Sequence, residues 1–370
     1  MDSYIKKCEP FLIEVPLREK YRTAHGEVST HKSVIVRLET IDGYQGYGQV
    51  DPIPTYSNES AEEVYVVIKK YIAPFLIGKS PYSISSIMEE IDKIFPSNLH
   101  LESRAAISIA LYDLVGKMLK TPVHSLLGKV YRREIPVVGW IGIEEPEIMS
   151  KKAIKKLEEG YKSIKIKITG SEKDVERVAK IREAIGYNVE LRADANESLI
   201  PINILRKLEK YELKWIEQPF PRRFLDHLVE IKKKIDIPIL IDESVSDLSS
   251  LLYILKRRLA DCIKLKILKQ GGIDSVKMMV KICEAEKISC TIGHGFDMSI
   301  SAMAELHVIA SSKHVEEVNE VGGPYDKMND DIVCEGLEFS KGCYKINDMP
   351  GLGLTIDEDK LQKYSRNSIN

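Results

Sequence analysis

Between about residues 134 and 321, short β-branched runs alternate with charged stretches whose apolar positions recur at helical spacing. The runs are IPVVGWIG (135–142), SIKIKI (163–168), VELRADA (189–195) and KWIEQP (214–219), followed by IPILIDES (237–244), CIKLKI (262–267), ISCTIGH (288–294) and VEEVNEV (315–321). Among the spacers, EIMSKKAIKKLEEG and SEKDVERVAKIREAIG each end on a helix-stop glycine, Gly160 and Gly186. Eight strands separated by helices over roughly 190 residues predict an α/β chain folded as a (β/α)8 barrel of the TIM type. A doubly wound open sheet is the other architecture with this alternation. It carries a glycine-rich phosphate loop after its first strand, and GWIGIEEPE is a poor one.

The first 130 residues have a different rhythm. PFLIEVPL, HKSVIVRLET and GYQGYGQV predict an antiparallel meander, and SAEEVYVVIKKYIAPFL and ESRAAISIALYDLVGKML predict helices. The expected organisation is therefore an α+β module over 1–130 and a barrel over 131–325. A C-terminal segment, 326–370, has no further repeat and is expected to pack back on the first module.

Two of the barrel runs pose a question. In SIKIKI, Ile164, Ile166 and Ile168 share one face and Lys165 and Lys167 the other, and CIKLKI repeats the pattern. A central barrel strand is covered on both faces, so its lysines need partners inside.

Composition narrows the choice of chemistry. Lys+Arg 54 against Asp+Glu 56 gives a net charge of -2 over 370 residues, which leaves nucleic-acid binding without an electrostatic footprint. No apolar run reaches the ~20 residues of a membrane span, and MDSYIKKCEP has no signal-peptide core, so a cytoplasmic protein is expected. The six cysteines form no CxxC pair.

Barrel chemistry sits at the C-terminal strand ends. The third, fourth and fifth runs end on Asp194 (RADAN), Glu217 (IEQP) and Asp242 (IDES). Any one of them could be a helix cap or a solvated loop acid; three in register predict convergence, and converging buried carboxylates need a cation. All-oxygen donors without His or Cys favour Mg²⁺ or Mn²⁺ over zinc. Lys165 and Lys167 on the second strand and Lys266 on the sixth would flank that ion from opposite sides. A lysine acts as a base only when neutral, and bringing its pKa from ~10.4 to ~7–8 takes roughly 4 kcal/mol of differential interaction. A divalent ion and a second ammonium both act in that direction.

The ordered set KxK, D-A-N, E-Q-P, D-E-S and KILKQGG resembles the enolase superfamily in its muconate lactonizing enzyme and mandelate racemase-like branch. AAISIALYDLVGKMLKTPVHSLLGK and PGLGLTIDEDKL are similar to the family's cap–barrel junction and C-terminal signature, so the resemblance spans nearly the whole chain. It implies a capping domain over a modified TIM barrel and abstraction of a proton α to a carboxylate. One Mg²⁺ (or Mn²⁺) per subunit would be held by Asp194, Glu217 and Asp242. Lys167 and Lys266 would be acid/bases on opposite substrate faces, with Lys165 tuning Lys167 and touching the carboxylate. Lys266 is chosen over Lys269 because the family lysine stands five residues before the first glycine. Asn196 and Glu243 would orient ligands or lysines. Tyr21, Arg22 and Tyr56 fall in the cap loops that close over substrate.

Two positions depart from the epimerase pattern. His294, in IGHGFDMSIS, resembles the racemase and dehydratase branches, yet its expected aspartate partner is here Lys266. Glu320, in NEVGGP, is like the cycloisomerases and replaces a DxD pair. Both are expected to contact substrate beside Lys266. The resemblance thus implies an isomerase acting on a small carboxylate, either a cycloisomerase or a racemase or epimerase of an N-substituted amino acid or dipeptide, in a homo-oligomer. A sugar-acid dehydratase, an o-succinylbenzoate synthase and a non-catalytic barrel remain the alternatives.

Overall fold

The computed structural model describes residues 3–23, 26–53, 57–96 and 98–366, without the side chains of 20–23, 26–28 and 326. Strands β1 (Ile5–Thr23), β2 (Gly26–Thr40) and β3 (Gln45–Val50) form an antiparallel sheet in that order. Helix Leu101–Met118 lies against it. A Cβ on Gly48 would stand 2.0 Å from the Ala106 carbonyl oxygen, and one on Gly46 2.4 Å from Leu114 Cβ. The glycines of GYQGYGQV therefore let sheet and helix meet at backbone distance.

The barrel follows. After β4 (Glu134–Pro136), a parallel sheet runs in chain order through β5 (Gly139–Ile141), β6 (Ser163–Lys167), β7 (Glu190–Asp194), β8 (Ile216–Glu217), β9 (Ile239–Ile241), β10 (Cys262–Leu265) and β11 (Ser289–Ile292). Helical segments fill each crossover, including Pro146–Glu158, Glu172–Ile185 and Ile273–Glu286. Ile164 and Ile166 are fully buried on one face of β6, and Lys165 is 1% exposed on the other. This is the TIM-type barrel that the alternation predicts, in the modified form that the resemblance implies.

The closure departs from eight regular strands. The run 135–142 is divided between β4 and β5, and VEEVNEV is not a strand but closes the barrel by separate bonds. Glu316 and Glu320 N–H donate to Cys290 and Ile292 carbonyls on one side, both at 2.8 Å. On the other side Asn319 N–H donates to Pro136 O at 2.9 Å, and Val138 N–H to Asn319 O at 3.1 Å. The ladder is interrupted because side chains take part of it: Asn319 Oδ1 accepts from Ile292 N–H at 3.0 Å, and Arg192 donates to Val318 O at 2.9 Å. Gly293 makes the closure possible, since a Cβ there would lie 2.1 Å from the Glu320 carbonyl carbon.

The tail adds β12 (Val333–Glu335), β13 (Glu338–Ser340), β14 (Cys343–Lys345), β15 (Thr355–Ile356) and helix Glu358–Tyr364. β14 pairs with both β13 and β4, and β12 pairs with β15. The last described residue meets β1, where Arg366 N–H donates to Leu12 O at 2.8 Å. Among the described residues, no helix is long and apolar enough to cross a membrane.

Candidate active site

The strand ends of β6 to β10 carry an alternating row of charges. Lys167 donates to Asp194 Oδ2 at 2.7 Å. Lys165 lies 3.1 Å from Asp194 Oδ2 and 2.6 Å from Glu217 Oε2. Lys264 lies 3.2 Å from Glu217 Oε1 and 3.8 Å from Asp242 Oδ2. Lys266 then donates to Asp242 Oδ2 at 2.7 Å, and Lys269 to Asp242 Oδ1 at 2.5 Å. Apart from Lys167, whose side chain is 25% exposed, these groups are almost wholly buried.

The sequence places Asp194, Glu217 and Asp242 together, and the structure sets them on neighbouring strands in that order. Their convergence is indirect. Among the described residues, no three His, Cys, Asp or Glu side chains surround one point as a ready metal site. What the acids share is ammonium groups, because buried carboxylates must be balanced by some cation. Burial pushes Asp194 up, but Lys165, Lys167 and Lys264 more than reverse this and hold it below the usual carboxylate range. Asp242 is likewise held well below, burial being overcome by Lys266, Lys269 and Lys264. Glu217 goes the other way, to about 8, through burial and the neighbouring Asp194 charge.

The donor chemistry fits a hard divalent cation. Three buried carboxylates stand on adjacent strand ends with no His or Cys among them. Glu243, next in chain to Asp242, keeps Oε2 buried without a hydrogen-bond partner, while its Oε1 accepts from Asn196 Nδ2 at 3.0 Å. Asn196 Oδ1 also accepts from Lys167, so this residue links the lysine to Glu243.

Glu320, in the closing segment, is surrounded by cations. It is fully buried, with Lys165 at 2.6 Å, Lys264 at 2.5 Å and Arg192 at 3.2 Å. Burial would raise its pKa, and these three cations lower it instead. It is a counter-ion in the barrel interior. His294 is 5% exposed, and its Nε2 donates to Asp51 O in the first module at 2.8 Å. Burial, then Lys266, pushes its pKa down to about 3, so the imidazole is neutral. Tyr21 and Arg22 lie on β1, their backbones paired with Val28 and Glu27, but their side chains and all of Tyr56 fall outside the described residues.

Four participants escaped the sequence reading. Lys264 was signalled by the second KxK in CIKLKI. Arg192 sits between Glu320 and the Trp215 ring, 4.2 Å from the ring centroid. Trp140 faces Lys165 at 4.9 Å, Lys327 at 5.1 Å and Lys264 at 5.7 Å. Asp51 collects Ser33 at 2.5 Å, Gln49 at 2.7 Å and Ser301, tying the module to the barrel.

Comparison with known proteins settles the family. Residues 9–128 match the mandelate racemase / muconate lactonizing enzyme N-terminal domain, and residues 149–360 match the enolase C-terminal domain-like family. The chain belongs to this family. It is 33% identical to an N-succinyl-L-Arg/Lys racemase of Bacillus cereus over 95% of both chains. The crystal structure of that racemase superposes with a TM-score of 0.92, covering 98% of each chain. A hydrophobic dipeptide epimerase of Enterococcus faecalis is 34% identical, over 84% of this chain and 88% of the relative. A dipeptide epimerase of Cytophaga hutchinsonii, solved with Mg and D-Ala-L-Val, is 29% identical with a TM-score of 0.91, over 99% of this chain and 100% of that one. These relatives of the chain are isomerases of the enolase superfamily.

Proposed function

We propose that this protein is a divalent-metal-dependent racemase or epimerase acting at the α-carbon of an N-acylated amino acid. The observation that carries the reading is the pair of lysines at the two ends of the acidic row, Lys167 on Asp194 and Lys266 on Asp242. An N-succinyl amino acid and the C-terminal residue of a dipeptide share one unit, an α-carbon bearing a carboxylate and an acylated nitrogen. That unit is what the named relatives have in common, and it is the substrate class assigned here.

Asp194, Glu217 and Asp242 would hold one Mg²⁺ or Mn²⁺, with Glu243 supporting them. When bound, that ion supplies positive charge against the substrate carboxylate and so acidifies the α-proton. Lys167 and Lys266 do the rest. One, neutral, takes the α-proton from its face; the other, as an ammonium, returns a proton from the opposite face, and their roles exchange for the other enantiomer. Asn196 fixes the Lys167 ammonium against Asp194. Lys165, held by Glu217 and Glu320, shares Asp194 Oδ2 with Lys167 and so helps to place its neighbour.

The dehydratase alternative needs an acid for a leaving hydroxyl. His294 is a poor candidate, being neutral and engaged with Asp51 O. The cycloisomerase alternative leaned on Glu320, whose oxygens serve Lys165, Lys264 and Arg192.

Incubating the Mg²⁺-loaded protein in D₂O with N-succinyl amino acids and dipeptides of both configurations tests the reading. Proton NMR should show loss of the α-proton signal together with appearance of the opposite configuration. Absence of exchange across the whole panel would contradict it.

A further inference from the structure

Lys264 lies on the inward face of β10, two residues before Lys266, and is 2% exposed. Its Nζ stands 2.5 Å from Glu320, 3.2 Å from Glu217 and 3.8 Å from Asp242. Two of these three acids belong to the proposed metal set. The proton transfers described above use Lys167 and Lys266 and leave Lys264 without a part.

We propose that Lys264 is a positioning residue: a built-in cation that holds Glu217, Asp242 and Glu320 in register before a divalent ion binds, and competes with that ion for Glu217. The inference rests on the metal-dependent reading above. Its physical basis is charge. Glu217, Asp242 and Glu320, all buried, repel one another, and an ammonium touching all three offsets that repulsion. The same ammonium, so close to two ligand oxygens, opposes an arriving dication. Glu320 moderates the conflict. It makes the shortest of the three contacts and draws Lys264 away from Glu217. Removing Lys264 and removing the charge of Glu320 should therefore move metal affinity in opposite directions, whereas a residue that only fills space would move it in neither.

The test is calorimetric titration of Mg²⁺ into metal-stripped, full-length protein, with thermal melting of the same samples. Lys264→Met should bind Mg²⁺ at least about tenfold more tightly than wild type while melting at a lower temperature without metal. Lys264→Arg should stay near wild type in both. Glu320→Gln should bind several-fold more weakly, because Lys264 then rests on Glu217 and Asp242 alone. Lys264→Met binding no more tightly than wild type overturns the proposal, as does Lys264→Arg binding as tightly as Lys264→Met. If Lys264→Met does not fold, Glu320→Gln decides, and unchanged or tighter binding there overturns it. Wild-type protein without saturable Mg²⁺ binding strikes the metal reading itself and removes this inference with it.

Discussion

Lys266 donates to Asp242 Oδ2 at 2.7 Å, and across the barrel mouth Lys167 makes the same contact, at the same length, with Asp194. The two lysines thus bracket the row of acids from β6 and β10, and the three intervening strands supply the carboxylates. A substrate held over the row has an amine at either side, which is the arrangement that moving a proton between two faces requires.

Asp242 pairs with Lys266 and Lys269 and lies 3.8 Å from Lys264 as well. Asp242→Asn should weaken Mg²⁺ binding and lower turnover by at least about a hundredfold, with secondary structure retained by circular dichroism. Stripping metal with excess chelator should silence the wild type in the same assay. Full activity in chelator would contradict the metal assignment.

The acids and outer lysines were legible in the sequence because strand periodicity carries them. Position in a strand fixes the face, and the last inward residue of each strand fixes the height. Lys264, Arg192 and Glu320 were harder to place. Their pairing depends on how the barrel closes, and the closing segment 315–321 is an interrupted ladder whose bonds are shared with Asn319 and Arg192 side chains. His294 could not be placed either, since its partner is a backbone carbonyl 243 residues away in the first module.

His294 therefore carries a stability prediction. His294→Ala removes a buried hydrogen bond and should destabilise the protein by about 1–3 kcal/mol, measured by denaturant unfolding. Exchange of the substrate α-proton should persist in the variant. Loss of exchange with unchanged stability would return His294 to the chemistry.

Asp297 gives a pH signature. It is fully buried, and burial followed by the Asp51 charge pushes its pKa up to about 6, against the backbone N–H groups of Gly322 and Gly295 that donate to its Oδ2. A carboxyl with a raised folded-state pKa binds its proton more tightly folded than unfolded. Stability from this group is present below the unfolded value, falls as pH rises toward about 6, and is flat above. Asp297→Asn should remove that fall. Relative to wild type, the variant should be more stable at pH 7.5 than at pH 4.5 by about 2 kcal/mol. An equal difference at the two pH values would contradict it.

Gly293 has a φ of +139° and backbone against its missing side chain. Gly293→Ala should disrupt the closing segment and cost about 4 kcal/mol or more, read from denaturant unfolding or as failure to accumulate soluble protein. A variant as stable as wild type would show that the segment can shift away.

The two-lysine account is tested most directly by following α-proton exchange separately for each enantiomer of a turned-over N-acyl amino acid in D₂O. Lys167→Ala should lose exchange of one enantiomer and keep that of the other, and Lys266→Ala should show the reverse. If both variants lose exchange of the same enantiomer and retain the other, the lysines do not stand on opposite faces, and the account is wrong.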